Sequence, residues 1–325
     1  MKNENSELVY PLLSRYSGWG GGDDGAHQAG FYTLFAADNE PHAIDCYRLN
    51  HVNNPIFNAD LSTLTAIKLK ELAQIPKGMD GCVVITSAPC QGASTAGKFE
   101  ILHPLNKLLL NEPFHISKLN PAAFVFENVK GLTQGRMRAL HGMLMKEIEK
   151  WLPNYHVWEC VLNAGYYGVP QSRERYILMG FRKDLGVDPV FPKPNTANIS
   201  VIADIIPDAS GLAFGYGYKK FRPAKCVAPT LTRTENLKKV VNGEHIRLVE
   251  PEILGIGGFR KNWKYIGTCA KVYARTGNSI MPPFAKAIFT EIYKQLQKAG
   301  VPTYTVDALN QITNKTVPQS LIYNV

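Results

Sequence analysis

The sequence predicts an α/β protein in which helices cover a mostly parallel sheet. In the first two-thirds of the chain, short apolar runs alternate with helical patterns, and turn or polar residues follow each run. Hydrophobic residues make up 45% and charged residues 19% of the chain, ordinary values for a protein that buries a sizeable core. The 325 residues are enough for one large α/β domain with a smaller appendage, because a domain takes about 150 residues.

Individual elements follow from the spacing of apolar residues. Three short apolar runs are predicted to be strands, namely Val83–Thr86, 124–126 and 176–181. Between the last two, apolar side chains recur every three or four positions and predict a helix over 138–152, which a proline ends. The final helix is predicted to begin near Pro283, since proline is favourable in a first turn.

The composition changes after about residue 190, where prolines, glycines and aromatic residues become frequent. This change predicts an irregular insert or a small second domain. We therefore predict a large domain over 1–190, a small irregular region over 191–255, and a C-terminal segment over 256–325 that returns to the large domain.

Composition and cysteine spacing narrow the class of protein. The apolar runs span only about five residues, whereas a membrane-spanning helix needs about 20, and the N-terminus lacks the apolar core of a secretory signal. The six cysteines include no C-x-x-C pair, which favours a reducing, cytoplasmic compartment, mostly buried free thiols and no structural zinc. The net charge of +9 favours a polyanionic partner.

A glycine cluster over 16–23, with the sequence YSGWGGGD, is the first candidate binding element. Glycines let the backbone turn sharply after a strand and approach a ligand closely at the start of a helix. Asp38 lies 17 residues after Gly21, about where a second strand ends, and its carboxylate can hold a ribose diol. Asp60 lies where a third strand could end, and it either accepts from an adenine amino group or caps a loop. The cluster alone is also compatible with a bare glycine turn or a dinucleotide site.

Cys90, in the segment SAPCQ, directly follows the predicted strand Val83–Thr86. In an open α/β sheet, ligands bind outside the carboxyl ends of the strands, so we expect this thiol to face a substrate. A free thiol has a pKa of about 8.5, and a nearby arginine or a helix N-terminus would increase the thiolate fraction. The alternative is a buried cysteine that acts as a small hydrophobe, as expected for the other five cysteines.

Two further segments place charged residues beside predicted strands. Glu127 ends the strand at 124–126 and is either a solvated cap or an acid directed into the cleft. Arg173 and Arg175 precede the strand at 176–181. Arginines two residues apart lie on one side of an extended chain, so both can point into one cleft as permanent cations. In isolation they are also compatible with a surface salt-bridge ladder.

Taken together, these segments are similar to those of one enzyme family. The chain resembles the cytosine-C5 DNA methyltransferases in the order, spacing and chemical type of five segments: SGWGGGDDGAHQAGF, APCQGAS, FENVKGL, NAGYYGVPQSRERYILMGFR and ARTGNSI. The resemblance covers about residues 8–299 and is interrupted mainly near 195–240. It implies a Rossmann-like methyltransferase sheet with helices on both faces and a small target-recognition domain. It also implies S-adenosyl-L-methionine as cofactor and S-adenosyl-L-homocysteine as product.

The resemblance further implies roles for individual residues. The implied catalytic residues are Cys90, Glu127, Arg173 and Arg175. The implied cofactor-binding residues are Tyr16, Gly18, Gly20 and Gly21 beside the methionine part, Asp38 on the ribose, Asn39, Asp60 and Leu61 around the adenine, and also Leu108 and Asn278. The implied DNA-binding residues are Gln91, Ser94, Lys219, Lys220, Arg222, Lys225 and Arg233. No metal is implied.

In the chemistry that this resemblance implies, the Cys90 thiolate adds to C6 of a flipped-out cytosine and makes C5 nucleophilic. Glu127 contacts N3 and the 4-amino group of the base. Arg175 contacts O2, and Arg173 supports Arg175 or stabilises the thiolate. C5 then takes the methyl group, a base removes the C5 proton, and β-elimination releases the cysteine. The sequence does not identify that base, and bound water is one candidate.

The segment 219–239 carries seven basic residues and one acid, with four aromatic residues within or just before it. Basic residues contact phosphates while a few side chains read base edges, so we expect this segment to bind double-stranded DNA. A solvated charged loop is the alternative. Only about 70 residues separate Arg175 from Arg247, which suggests a short target, a partner subunit or relaxed specificity. Trp19 and Gly22 depart from the family's glycine loop, which predicts different packing there.

The leading hypothesis is a monomeric DNA (cytosine-5-)-methyltransferase in the cytoplasm of a bacterial or phage-infected cell, with a companion restriction endonuclease as a further partner. RNA is an alternative substrate, because a branch of the family methylates transfer RNA, although the extra signature of that branch is not seen after the nucleophile. A non-catalytic DNA-binding protein would have no chemical need for all four catalytic residues. A nicotinamide oxidoreductase would explain the glycine loop and Asp38 but not the cysteine, glutamate and arginines.

Overall fold

A computed structural model describes residues 7–62, 68, 81–90, 103–197 and 199–314, without the side chains of 312–314. The chain begins with β1 (Leu8–Arg15), α1 (Gly21–His27), β2 (Phe31–Asp38), α2 (Pro41–Asn50), β3 (Ile56–Asn58), β4 (Val83–Thr86), α3 (Pro104–Leu119), β5 (Ala123–Val129) and α4 (Arg138–Trp151). It continues with β6 (Tyr155–Asn163), β7 (Glu174–Arg182), α5 (Ile202–Ile205), β8 (Gly211–Phe214), β9 (Lys220–Pro223), β10 (Leu237–Val241) and β11 (Glu244–Arg247). It then forms α6 (Glu250–Ile256), α7 (Cys269–Asn278), α8 (Pro282–Lys298), β12 (Tyr304–Thr305) and α9 (Val306–Asn314).

The large sheet has the strand order β3-β2-β1-β4-β5-β7-β6. The first five strands of this order are parallel to their neighbours. Strand β7 is antiparallel to both β5 and β6, and β12 pairs antiparallel with the start of β1. This arrangement confirms the predicted α/β class with a mostly parallel sheet.

The predicted elements lie where the apolar pattern placed them. Strand β4 coincides with the predicted run, and β5 and β7 extend the runs at 124–126 and 176–181 at both ends. The sequences of these strands are continuous apolar runs because helices cover both faces of the sheet. Helix α4 matches the predicted helix over 138–152, and α8 begins at Pro282, one residue before the predicted start.

Helices α1 and α8 cover one face of the sheet, and α3 and α4 cover the other. Successive residues along a strand therefore belong to different cores: Leu12 packs into the core of the α1–α8 face, and Leu13 packs into the core of the α3–α4 face. Gly25 of α1 lets the two helices of its face approach closely. A Cβ at this position would lie 2.2 Å from the carbonyl oxygen of Pro282.

Strands β8 to β11 form a separate antiparallel sheet with the order β11-β10-β8-β9. We call residues 211–247 the small lobe, and we call the large sheet with its helices the large lobe. The composition left an irregular insert or a small second domain open, and the ordered sheet over 211–247 favours the second alternative. These strands have only four or five residues and carry glycine and several lysines, so they lack an alternating apolar pattern. Leu212 and Leu237 are nevertheless buried and join the core of the α1–α8 face.

Two further expectations concern the burial of the cysteines and the presence of membrane-spanning helices. All six cysteines are free thiols. Of the five that were expected to be buried, Cys46 and Cys82 are buried, whereas Cys160, Cys226 and Cys269 are half-buried. In the part of the chain that the structure describes, no helix has both the length and the apolar character needed to cross a membrane.

Candidate active site

A cavity of about 470 Å³ lies at the carboxyl ends of β1, β2, β4 and β5. This is the edge of a parallel sheet at which α/β proteins bind ligands. The cavity brings together most of the residues that the sequence singled out. The predicted residues that line it are Tyr16, Gly18, Gly21, Asp38, Asn39, Cys90, Glu127, Arg173, Arg175, Arg233 and Asn278.

The loop after β1 turns sharply because Tyr16 and Gly18 adopt positive φ angles of 57° and 56°. The backbone N–H of Ser17 donates to the Ala37 carbonyl (3.0 Å), and the N–H of Gly18 donates to Asp38 Oδ2 (2.8 Å). These bonds tie the loop to the end of β2. Among the described residues, no atom lies within 4 Å of a Cβ built at Gly18, so a ligand can approach the backbone there.

Asp38 ends β2, where the sequence predicted an acid. Its Oδ1 accepts from the backbone N–H of Glu40 (2.9 Å), and its Oδ2 accepts from Gly18. Burial raises the pKa of this carboxyl group, whereas these two backbone donors lower it. A carboxylate has about four lone-pair sites, so about two remain for the hydroxyl groups of a ligand. Asn39 is exposed beside it and also lines the cavity.

Trp19, which departs from the family's loop, is buried in an aromatic cluster. Its ring makes edge-on contacts with Phe259 and Trp263, with centroids 5.0 and 5.9 Å apart. Its Nε1 donates to the Ser279 hydroxyl. The indole therefore joins the glycine loop to the segment that precedes α8.

A buried ion pair supports the same loop, and the sequence analysis missed it. Arg15, the last residue of β1, pairs with Glu112 of α3 through two bonds, Nε–Oε2 (2.7 Å) and Nη2–Oε1 (2.8 Å). The Tyr16 hydroxyl also donates to Glu112 Oε1 (3.3 Å). The ion pair is almost fully buried and therefore fixed in position, and its bond to the hydroxyl group holds the Tyr16 ring at the cavity wall. The one charged residue of the run LVYPLLSR, the arginine at its end, was the feature of the sequence that could have indicated a buried partner.

Cys90 faces the cavity, as predicted, and is half-buried. Its Sγ donates a hydrogen bond to Asn128 Oδ1 (2.7 Å), while Asn128 Nδ2 donates to the Ala88 carbonyl (3.1 Å). The second bond fixes the orientation of the amide, so its oxygen points at the thiol. Asn128 was not among the predicted site residues, although it directly follows Glu127 at the end of β5.

The Cys90 thiol is protonated at neutral pH. Burial and, to a smaller extent, the Glu127 carboxylate raise its pKa to about 11, although the Arg175 guanidinium acts in the opposite direction. The arginine therefore acts in the direction that the sequence suggested, but burial has the larger effect. The thiol must lose its proton before or during any nucleophilic attack.

Glu127 and Arg175 form an ion pair at the cavity wall, with Nε 2.9 Å from Oε1 and side chains that are 10% and 12% exposed. Antiparallel pairing of β5 with β7 brings the two residues together, because Arg175 is the register partner of Val129. Arg175 Nη1 also donates to the Glu174 carbonyl (2.8 Å). The pair is directed into the cleft and is not a surface salt-bridge ladder.

Arg173 also lines the cavity but is fully buried, and its guanidinium binds backbone carbonyl groups. It donates to Leu231 O (3.0 Å), Gly277 O (2.8 Å) and Ser279 O (2.9 Å). Burial lowers its pKa, and the neighbouring Arg175 lowers it further. These bonds join the large lobe to the small lobe and to the turn before α8, so the geometry gives Arg173 a positioning role.

Gln171 adds to this junction, and its side chain is completely buried. Its Oε1 accepts from the backbone N–H of Leu231 (3.2 Å), and its Nε2 donates to the Ile256 carbonyl (2.9 Å). The next residue, Ser172, donates its backbone N–H to the Ala228 carbonyl (2.8 Å). The segment QSR therefore holds the small lobe against the catalytic edge of the large sheet.

Two predicted cofactor residues point elsewhere. A Cβ at Gly20 would lie 2.3 Å from His51 Nε2, so this glycine permits packing against a histidine and does not line the cavity. Asp60 is exposed, and its Oδ1 accepts from the backbone N–H of Ser62 (2.9 Å). This bond is the loop cap that the sequence left open as an alternative.

Two other predicted cofactor residues do not reach the cavity, and two predicted DNA-binding residues cannot be placed. Leu61 is buried and Leu108 is half-buried in α3, and neither lines the cavity. Gln91 and Ser94 lie outside the described residues.

The predicted DNA-binding residues of the small lobe are mostly exposed. Lys219, Lys220 and Lys225 are exposed at or after the β8–β9 turn, and the exposed Arg233 lines the cavity. The Arg222 guanidinium instead lies 5.5 Å from the centroid of a neighbouring phenylalanine ring. Basic residues on this lobe are thus split between free surface charges and charges used in packing.

Comparisons with known proteins identify the family of the chain. The sequence profile described as C-5 cytosine-specific DNA methylase matches residues 11–213. The chain is 38% identical over 203 residues to the Type II methyltransferase M.XorII of Xanthomonas oryzae, a match that covers 61% of this chain and 46% of the relative. It is 35% identical over 195 residues to M.AquIA of Picosynechococcus, a match that covers 56% and 75% of the two chains. The chain thus spans about half to three quarters of the length of these curated relatives.

Solved structures share the fold at low sequence identity. A prophage-encoded protein of E. coli, solved as a DNA modification methyltransferase, has a TM-score of 0.69 and 20% identity, and the match covers 89% of this chain and 100% of that one. The S. pombe Dnmt2 methyltransferase has a TM-score of 0.62 and 19% identity, with coverage of 89% and 99%. The profile match covers more than half of the residues, and so the chain belongs to the C-5 cytosine-specific DNA methylase family.

Proposed function

We propose that this chain is a DNA (cytosine-5-)-methyltransferase that methylates C5 of a flipped-out cytosine in a short double-stranded DNA site. The observation that carries the proposal is one cavity that joins two sets of groups. Cys90, Glu127 and Arg175 supply a nucleophile, an acid and a cation, while Gly18 and Asp38 supply the elements of an adenosine-type binding site.

The lining of the cavity fits S-adenosyl-L-methionine. A volume of about 470 Å³ is within the range of small-molecule sites, and the acceptor sites left on Asp38 suit ribose hydroxyl groups. Open space above Gly18 suits close approach of the methionine part, beside Tyr16 and Asn278. When bound there, the cofactor supplies the methyl group.

Cys90 acts as the nucleophile in this proposal. Its Sγ forms a bond to C6 of the cytosine, and the electron pair of the C5–C6 double bond moves so that C5 becomes nucleophilic. Asn128 is a neutral amide, so it orients the thiol but does not take up its proton, which passes to solvent. After C5 has been methylated, its proton leaves to water, the C5–C6 double bond forms again, and the Sγ–C6 bond breaks.

Glu127 and Arg175 stabilise the charge that develops on the base. The Glu127 carboxyl group contacts N3 and the 4-amino group, and a proton from solvent that passes through it to N3 offsets the negative charge on the ring after thiolate addition. Arg175 pairs with Glu127 at 2.9 Å and, in this proposal, donates to O2 of the base. Arg173 holds the surrounding backbone and acts on the base only through that positioning.

The substrate is double-stranded DNA, and the target base leaves the stack before it reaches Cys90. Extrusion of a base costs a few kcal/mol, which phosphate contacts from exposed cations such as Lys219, Lys220 and Arg233 would offset. The Type II relatives support a role in a restriction-modification system with a companion endonuclease in a bacterial or phage-infected cell. We propose that the enzyme acts as a monomer.

The decisive experiment compares Cys90→Ser with wild type on plasmid DNA. We expect the variant to lose methyl transfer completely while it still binds S-adenosyl-L-homocysteine, which fluorescence of the cavity-lining Trp19 reports. Cys226→Ser, which changes a half-buried thiol elsewhere, serves as the matched control and should keep full activity. Retained transfer in Cys90→Ser would contradict the proposal, and transfer to transfer RNA but not to duplex DNA would move the substrate to RNA.

A further inference from the structure

Four aromatic side chains lie within or beside the β8–β9 turn of the small lobe, and two of them pack against basic side chains. The Arg222 guanidinium lies over the Phe214 ring, 5.5 Å from its centroid. The Lys238 ammonium lies over the Tyr218 ring at 4.5 Å, and His245 contacts the same ring from another side. These rings therefore stabilise the lobe itself.

A third ring, Phe221, packs on the backbone of the neighbouring strand. A Cβ at Gly211 would lie 2.7 Å from this ring, so the glycine makes room for it. Tyr216 differs from the other three, because its side chain is 95% exposed and makes no ring contact or hydrogen bond with any residue that the structure describes.

The backbone presents Tyr216 at the outermost point of the turn. Gly215 and Gly217 on either side have φ angles of 78° and 61°, and Tyr218 has a φ of 56°. A tyrosine rarely adopts a positive φ, and the contacts of its ring with Lys238 and His245 hold it there. The glycines and the contacts of Tyr218 therefore hold the turn in one conformation, in which it exposes one aromatic ring to solvent.

The register of the small sheet places this turn at the same end of the sheet as the segment that leads back to the active-site cavity. Phe214 pairs with Leu237 at the start of β10, and four residues before Leu237 the chain lines the cavity at Arg233. Extended chain spans at most about 3.5 Å per residue, so Tyr216 lies within about 25 Å of Arg233. That distance corresponds to about seven base-pair steps of DNA.

The charge around the ring matches a nucleic acid. Lys219 and Lys220 are exposed within four residues of Tyr216, and neither makes an ion pair with a described residue. A ring flanked by cations is the combination with which proteins stack on a base while they contact the adjoining phosphates.

We propose that the Tyr216 ring stacks on a base of the target DNA, within about seven base pairs of the phosphates that Arg233 contacts. This inference rests on the proposed function and adds a contact that the basic residues alone do not supply. The ring acts through its flat face, so its effect is independent of salt, whereas the lysines act through phosphates and their effect falls as salt rises.

The test uses the full chain and a duplex of about 30 base pairs that contains the site mapped by 5-methylcytosine sequencing. Tyr216→Ala should weaken duplex binding about tenfold with an unchanged slope of log affinity against log salt, because stacking on one base is worth about a factor of ten. Tyr216→Phe should bind within about threefold of wild type. Trp158→Ala removes an exposed aromatic ring from the edge strand β6 and serves as the matched control, with unchanged binding.

A second readout locates the contact. Duplexes with 2-aminopurine at successive positions should show quenching at one position with wild type and Tyr216→Phe, and no quenching there with Tyr216→Ala. Equal affinity of Tyr216→Ala and wild type would overturn the inference, and so would an equal loss in the phenylalanine variant. If wild type neither methylates nor binds any duplex, the proposed function itself fails, which separates the two cases.

Discussion

The cavity of the large lobe and the β8–β9 turn of the small lobe carry positive charge in opposite ways. At the cavity, Arg15 and Arg173 are buried and Arg175 is only 12% exposed, and each guanidinium is held by a carboxylate or by backbone carbonyl groups. In the small lobe, Lys219 and Lys220 stand in solvent. The buried arginines position groups at fixed points of the cavity, because a buried charge is stable only with defined partners. The exposed lysines act at a distance and tolerate changes of position.

This contrast predicts that substitutions of the buried charged residues in the large lobe have large, salt-independent effects. Substitutions of the exposed lysines in the small lobe should have small effects that depend on salt. Four experiments test the comparison.

The largest effect is expected at Arg15. Arg15→Met should lower the free energy of unfolding by about 3–5 kcal/mol, because it leaves the Glu112 carboxylate buried without its partner. Urea unfolding measures this change. The double variant Arg15→Met/Glu112→Leu should recover most of the loss, since it removes both charges. A single variant that costs less than about 1 kcal/mol would show that the pair is not buried as described.

The next effect is expected at Glu127. Glu127→Gln should lower kcat about 10²–10³-fold with little change in cofactor binding, because the amide keeps the shape of the acid but cannot pass a proton to N3 of the base. Single-turnover methylation of DNA measures this change. Glu174→Gln, which alters an exposed glutamate paired with Lys130, is the matched control and should leave the rate unchanged. Equal losses in both variants would remove the special role of the buried acid.

The reactivity of the Cys90 thiol gives the third test. With a pKa of about 11, this thiol is protonated until high pH, so at pH 8.5 its alkylation by iodoacetamide should be about 100-fold slower than that of an ordinary exposed thiol. The rate should rise about tenfold per pH unit between pH 7 and 10. Subtraction of the rate of Cys90→Ser isolates this residue. Glu127→Gln should speed the alkylation of Cys90, because it removes a carboxylate that raises the pKa of the thiol. An alkylation rate that levels off near pH 8.5 would contradict a pKa of about 11 for this thiol.

The smallest effect is expected in the small lobe. Lys219→Ala should weaken DNA binding only a few-fold at moderate salt and lower the slope of log affinity against log salt by about one. Fluorescence anisotropy over a salt series measures both quantities. Lys294→Ala in α8, where the lysine pairs with Glu291, is the control and should leave the slope unchanged. A Lys219 variant with an unchanged slope would place its ammonium away from the phosphates.

Much of the large lobe could be predicted from the sequence. Strand β4 and helix α4 lie where the apolar spacing placed them, and Asp38 ends β2 as expected. These features are local, since a continuous apolar run or a helical repeat is recorded in neighbouring residues. A small separate region was predicted, but its strands were missed because they are short, two of them carry lysine, and their burial comes from pairing with distant residues.

The roles of individual site residues were predicted less evenly. Cys90, Glu127 and Arg175 meet in the cavity, because their motifs end or begin strands that are neighbours in the sheet. Arg173 lines the same cavity, yet its three bonds to carbonyl groups could not be read from the motif. Asn128 was overlooked, although its amide makes the hydrogen bond to the thiol.

The order and type of the motifs, together with the apolar periodicity, determined the family and the α/β class of this chain. The family and the fold class follow from residues that are close along the sequence. Only the tertiary structure decided how charge is used: that Glu112 neutralises Arg15, that Gln171 and Arg173 hold the small lobe, and that the ring of Tyr216 remains in solvent. Such pairings join residues up to about a hundred positions apart, and their energies depend on burial and on distances that exist only after the chain has folded.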